Sequence, residues 1–253
     1  PAPPGVAELG PEVWRGDRPT IQQGLKILGT PVSPDFVAAH LQERLAEESR
    51  FLDELPHLPD LQCAWVLLLL CAGPRANHLL RTIPPDEVRE YARQHDDAIW
   101  ATLKALLGQP ALQPDEERVS RALATMPGRH GGAGLPNATR ASTGAYWAAW
   151  ADALPMLRAR CPVEAEEITQ LLEGSRQGAQ GGVAAAISAA TDLDAAELQR
   201  PEWRSLLNGA RPSPPMGDED AAEQGEWRHG WQFCACSHLN RRYRDREFVP
   251  SLS

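Results

Sequence analysis

The sequence predicts a mainly α fold: an irregular helical bundle with at most a short strand near residues 25–29, its elements joined by linkers rich in Pro and Gly. Three observations predict it. Apolar residues recur at three- and four-residue spacings in segment after segment, the period of one helix face. The 23 Pro and 20 Gly of the 253-residue chain interrupt the regular elements often. One stretch, Ala64 to Ala72, is almost wholly apolar, as a helix inside a bundle would be.

Residues 1–20, rich in Pro and Gly and without periodicity, read as an irregular lead-in. Leu25 and Ile27 then alternate with polar neighbours between glycines, which suits a short strand. Ser33-Pro34 supplies an N-cap followed by proline at the first helical position. Val37, Leu41, Leu45, Leu52 and Leu55 stripe the amphipathic helix that follows, which Pro56 ends. Asp60 caps a second helix through Cys71, expected to be the core element, with Cys63 and Cys71 packed as small hydrophobes. Gly73-Pro74 breaks it, and a short helical piece runs from Arg75 to Arg81. Pro84-Pro85-Asp86 opens a helix striped by Val88, Tyr91, His95, Ile99, Leu103 and Leu106, and Gly108 stops it. Asp115 to Met126 reads as helix, and the four glycines of Gly128 to Gly134 as a tight loop. Ala145, Trp147, Trp150 and Leu154 predict a helix from Ala138, closed by Pro155, with more helix around Val163 to Leu172. Residues 174–184 and 211–220 have linker composition. The tail from Ala221 to Phe248 reads as a basic-ended helix that has lost its neighbour.

Net charge is −9, from 25 basic and 34 acidic residues, which argues against a freestanding nucleic-acid binder unless the cations are concentrated locally. Only Lys26 and Lys104 are lysines; every other cation is Arg, the side chain suited to bidentate contact with phosphate. Five cysteines form an odd set, favouring a reducing compartment: intracellular, nuclear or cytoplasmic, and not secreted. The longest apolar run is about half of the roughly 20 residues that a bilayer requires, so neither a span nor a membrane partner is expected. The chain starts at Pro1 without a signal-peptide pattern and reads as an internal fragment.

Candidate chemistry is sparse. Asp96-Asp97 lies in a helical pattern, where adjacent carboxylates do not converge on one ion, and reads as a solvated face. Cys234-x-Cys236-x-His238 lacks the second ligand pair of a structural zinc site and reads as incidental thiols on a packed helix. With no nucleophile, nucleotide-binding or metal pattern, no catalytic residue, metal site or cofactor is expected in this chain, and it is not expected to be an enzyme. Arg75, His78 and Arg81 fall at successive three-residue steps and can share a helix face able to track phosphates; the alternative is pairing with Glu87 or Glu90.

Four segments together resemble a family: Leu25-Lys26-Ile27-Leu28-Gly29-Thr30-Pro31, Pro74 through Pro85, His130-Gly131-Gly132-Ala133-Gly134-Leu135, and Ala145-Tyr146-Trp147-Ala148-Ala149-Trp150. Their order and spacing, over about residues 20–155, resemble the region following the catalytic palm in reverse-transcriptase-like proteins of non-LTR retrotransposons. Ala133 stands where the family's loop has Leu. The resemblance implies a palm-strand end within 1–32, a thumb-like bundle over 33–108 and a post-thumb helical region that begins at 109; with the composition reading, the domains are an irregular lead-in and palm-strand end over 1–32, the thumb-like bundle over 33–108, the post-thumb region over 109–210, and over 211–253 a Pro-rich acidic linker with an Arg- and aromatic-rich C-terminal helix. It implies as partners an RNA–DNA or RNA template–primer duplex and the missing palm domain. The catalytic aspartates and their Mg would belong to that palm, N-terminal to the Leu-Gly element. Lys26 would lie near the primer side, and Arg75, His78 and Arg81 would contact the duplex backbone. A reading of another class is a helical interaction module that docks on a protein partner through Trp227, Trp231 and Phe233.

Overall fold

The computed structural model describes residues 25–108, 112–174, 176–212 and 230–249, together with Gly5, Glu8 and Pro19. Trp227, most of the lead-in and the acidic stretch 213–220 lie outside the described residues. The mainly α bundle is borne out: helices dominate, and the one sheet among the described residues is a two-stranded hairpin, β1 (Lys26–Ile27) and β2 (Thr30–Pro31). The strand expected at 25–29 thus folds back on itself, with Lys26 opposite Pro31 and Ile27 opposite Thr30. The chain divides into two compact units: one comprises Pro1–Leu79, Asp86–Arg121 and Gly134–Thr139, the other Leu80–Pro85, Ala122–Ala133 and Arg140–Ser253.

In unit one, α1 (Pro34–Glu54) starts at the Ser33 N-cap, and Phe36, Val37, Leu41 and Leu52 line its buried face. The Ser33 hydroxyl does not cap the helix; it accepts the Leu25 amide at 3.2 Å and ties the hairpin to the helix start. α2 (Leu61–Leu67) is capped by Asp60, whose carboxylate accepts the amides of Gln62 and Cys63. Helical winding then continues through a π turn (Leu68–Ala72), a 3-10 turn (Gly73–Ala76) and α3 (Asn77–Thr82). The whole run, Leu61–Thr82, is long and apolar enough by length and composition alone to cross a membrane, although no single apolar stretch in it is.

Two expectations for this run are corrected. It is not apolar-packed on all sides: Ala64, Leu68, Ala72, Ala76 and Leu79 form one buried stripe, and Val66 and Leu70 are exposed. Cys63 and Cys71 are exposed too, because each precedes a stripe position by one residue, a turn of about 100° around the helix. α4 (Pro85–Leu106) buries Val88, Tyr91, Ala92, His95, Ile99 and Leu103, and Gly108 follows it with φ 60°. The first two turns of α5 (Pro114–Thr125) complete the helices of this unit.

Unit two is built on α6 (Ala138–Arg160), from Arg140 onward. Tyr146, Trp147, Ala148, Ala151 and Leu154 of α6 form its core with α7 (Pro162–Leu172), α8 (Gly181–Ala195), α9 (Trp203–Leu207) and α10 (Trp231–Tyr243). Pro155 does not close α6, which runs five residues further, to Arg160. Leu154 and Leu157, packed into the core on either side of it, hold that turn against the cost of the missing amide, about 3 kcal/mol. The linker expected over 174–184 ends early, since Gly181 already begins α8. Ala186, Ala189 and Ala190 let that helix pack closely on its neighbours. Arg204 of α9 clamps α7, donating to both oxygens of Glu166 (2.6 and 2.5 Å) and to Glu173 (3.0 Å). Nor has the tail helix lost its neighbour: the Trp231 ring meets Trp147 edge-on at 5.7 Å, and Ala235 is fully buried.

Candidate nucleic-acid interface

The four cationic or titratable residues singled out from the sequence do not form one stripe. Lys26 sits in β1, opposite Pro31. The hairpin turn, Leu28-Gly29, holds both residues at positive φ (48° and 85°), the geometry of a two-residue turn that glycine adopts freely and leucine does not. The turn packs beside His78, whose Nε2 lies 3.1 Å from Thr30 Oγ1. Arg75, in the 3-10 turn, lays its guanidinium over the Phe51 ring, 4.6 Å from the centroid. These three belong to unit one. Arg81 belongs to unit two, where it pairs with Asp152 at 3.0 Å and donates to Gln232 Oε1 at 2.7 Å. Glu90, one of the partners weighed for these residues, is taken by Arg93 and Gln94, whose hydrogen bonds hold its pKa down at about 2.

Of the three aromatics expected as anchors, the two that the structure describes are not bare. Trp231 packs on Trp147, and the Phe233 ring lies beneath Arg129 at 5.6 Å.

The most buried polar cluster joins residues from distant parts of the sequence. Glu48 of α1 receives the Tyr91 hydroxyl at 2.6 Å and faces His95 Nδ1 at 2.8 Å; Nε2 of the same ring meets the Gly73 carbonyl at 3.2 Å. Both ring nitrogens face acceptors, which only the imidazolium satisfies with two donors. Burial works against that charge, but the hydrogen bond and charge of Glu48, the charge of Asp96 and the Gly73 carbonyl outweigh it and raise the His95 pKa above its ordinary value. Burial, and then Glu48, push the Tyr91 hydroxyl far up, so it stays a donor. The sequence marks Tyr91 and His95 only as members of an apolar stripe; the signal for a network was two polar groups at i, i+4 on a buried face.

The acid pair next to it splits its roles, which corrects the expectation of a solvated face. Asp96 is buried at 6% exposure and accepts the amides of Ala138 (2.7 Å) and Thr139 (2.9 Å), capping the first turn of α6. Asp97 faces Arg93 and Arg121, each at 2.7 Å. With both Asp96 oxygens committed to backbone and Asp97 held by guanidiniums, the pair does not fit a two-metal site. Among the described residues no group of three or more His, Cys, Asp or Glu side chains is arranged to hold a metal ion. His238 Nε2 instead meets the Ala196 carbonyl at 2.7 Å, and burial raises the Cys236 thiol to about 11, so it stays protonated.

No protein-family model, curated protein or solved structure matches the chain.

Proposed function

We propose that the chain is a non-catalytic helical piece of a retroelement reverse-transcriptase-like polyprotein, whose thumb-like region grips the backbone of a template–primer duplex without reading its sequence. The observation that carries this reading is the contact between Thr30 and His78, which brings the Lys26 hairpin against the helical run bearing Arg75 and His78. Lys26 on the hairpin beside Arg75 in the 3-10 turn is an arrangement that suits phosphates on one strand. Arg81, held by Asp152, serves instead to anchor its own unit. The parent protein would be an RNA-directed DNA polymerase, with Mg held by the catalytic aspartates of its palm.

Fluorescence anisotropy of a labelled RNA–DNA hybrid, titrated with the full chain over a KCl series, tests the reading. Log affinity is expected to fall linearly with log salt by about 0.9 per phosphate contact, and Lys26→Gln with Arg75→Gln to flatten that slope. Folded protein that fails to bind at low salt overturns it.

A further inference from the structure

Outside those residues, a group of cations lies in unit two, where the glycine loop after α5 meets the end of α10. The loop is held tightly: a 3-10 turn (Gly128–His130) leads to Gly132, where an added Cβ would stand 2.0 Å from the Met126 carbonyl oxygen, so glycine alone fits. Arg244, in the π turn that extends α10, donates through Nη1 to His130 Nδ1 at 2.9 Å. Arg129, next to His130, stacks on Phe233 of α10, and Arg241 is exposed one turn before Arg244. The carboxylate facing the group is Asp245, 2.6 Å from Arg244 Nε. Among the described residues neither Arg129 nor Arg241 forms an ion pair.

We propose that Arg129, Arg241 and Arg244, gathered around His130, form a second nucleic-acid contact in unit two that binds backbone phosphates independently of the Lys26 hairpin. Among the described side chains, Asp245 is paired with Arg244, which leaves Arg129 and Arg241 as a local positive excess in a chain whose net charge is −9. The cation–π contact with Phe233 uses the face of the Arg129 guanidinium and leaves its N–H donors for bidentate bonds to a phosphate. The apolar ring is thereby covered, so the patch offers charge and donors rather than a platform for bases, which favours backbone over sequence recognition. His130 registers the same field: burial first, and then the charges of Arg244, Arg129 and Arg241, hold its pKa below the ordinary value despite Asp245. With Arg244 donating to Nδ1, the neutral ring carries its proton on Nε2, which is buried, so the phosphate donors of the group are the guanidiniums.

The test uses the full chain and the same labelled RNA–DNA hybrid, with labelled poly-glutamate as a second probe. Arg129→Gln with Arg241→Gln is expected to lower affinity about tenfold at low salt and to reduce the salt slope by about 1.8, two phosphates' worth. Arg129→Lys with Arg241→Lys is expected to keep the slope. Circular dichroism and the thermal midpoint establish that each variant is folded, and Arg241→Gln alone, at an exposed position, is expected to lose about half of the slope change. An unchanged slope in the Gln variants overturns the proposal. So does an equal loss in the Lys variant, which would trace the effect to packing on Phe233, or equal affinity for poly-glutamate, which would make an acidic protein the ligand. Because the Lys26 and Arg75 variants are read separately, a loss confined to them retires this site and leaves the hairpin reading standing; a loss confined to the Arg129 and Arg241 variants does the reverse.

Discussion

A histidine with an acceptor at each ring nitrogen has a definite electrostatic consequence. Well below pH 6.5 His95 is protonated whether the chain is folded or unfolded, and its bonds to Glu48 and Gly73 contribute in full. Since its folded pKa is raised, that contribution is lost as pH rises from 6.5 through the folded value. Urea unfolding of the full chain is therefore expected to show falling stability over that window, and His95→Gln to abolish that part of the pH dependence. Removing one member leaves the other buried without its counter-charge, so Glu48→Gln and His95→Gln are each expected to cost about 3 kcal/mol, and the double variant less than the sum. Periodicity found the positions of Tyr91 and His95 but not their roles, because Glu48 stands 47 residues from His95. Asp96 hides its role for the same reason: a carboxylate capping amides 42 and 43 residues away cannot be told from a solvated one by its neighbours in sequence. Among the site residues, three-residue steps placed Arg75, His78 and Arg81 on one short helical stretch. Their separate partners, Phe51, Thr30 and Asp152, depend on packing that the spacing does not encode.

For whole elements, the helices that start at a capping residue or a proline were the most legible. Asp60, Ser33-Pro34 and Pro84-Pro85 mark their starts within a residue or two, because capping and the fixed φ of proline act locally. Elements that defy a local rule were not: α6 passes through Pro155, and α8 starts on a glycine pair inside a stretch of linker composition. In both, burial of neighbouring residues overrides the local preference. The hairpin carries a local cost of its own, with Leu28 at φ 48° and 92% exposed. Leu28→Asn is expected to raise stability by about 1 kcal/mol, since Asn tolerates the left-handed region and no packing is lost; a urea midpoint that moves down refutes this.

Across the whole molecule, the chain passes from unit to unit after Leu79, Pro85, Arg121, Ala133 and Thr139, so neither unit is a contiguous stretch of sequence. Composition shifts mark linkers; apart from the crossing after Ala133, in the glycine loop, the crossings fall in or at the start of helices, where there is no linker to detect. α10 belongs to the core of unit two through Trp231 and Ala235. Trp231→Ala is expected to destabilise that unit by about 2 kcal/mol, below the range for a fully buried Trp because the ring is half-buried, as read from near-ultraviolet circular dichroism during unfolding.

The bond from Arg140 to Asn240 spans 100 residues. During synthesis, unit one has all of its residues once Thr139 has left the ribosome, whereas α6 must wait for α10 before Trp147 is covered. At about 5–20 residues per second that is an interval of several seconds, in which Trp147 of the nascent chain is not covered by Trp231. On this order of synthesis the second unit is expected to be the more aggregation-sensitive during translation, and slow codons between residues 160 and 230 are expected to lengthen the exposure.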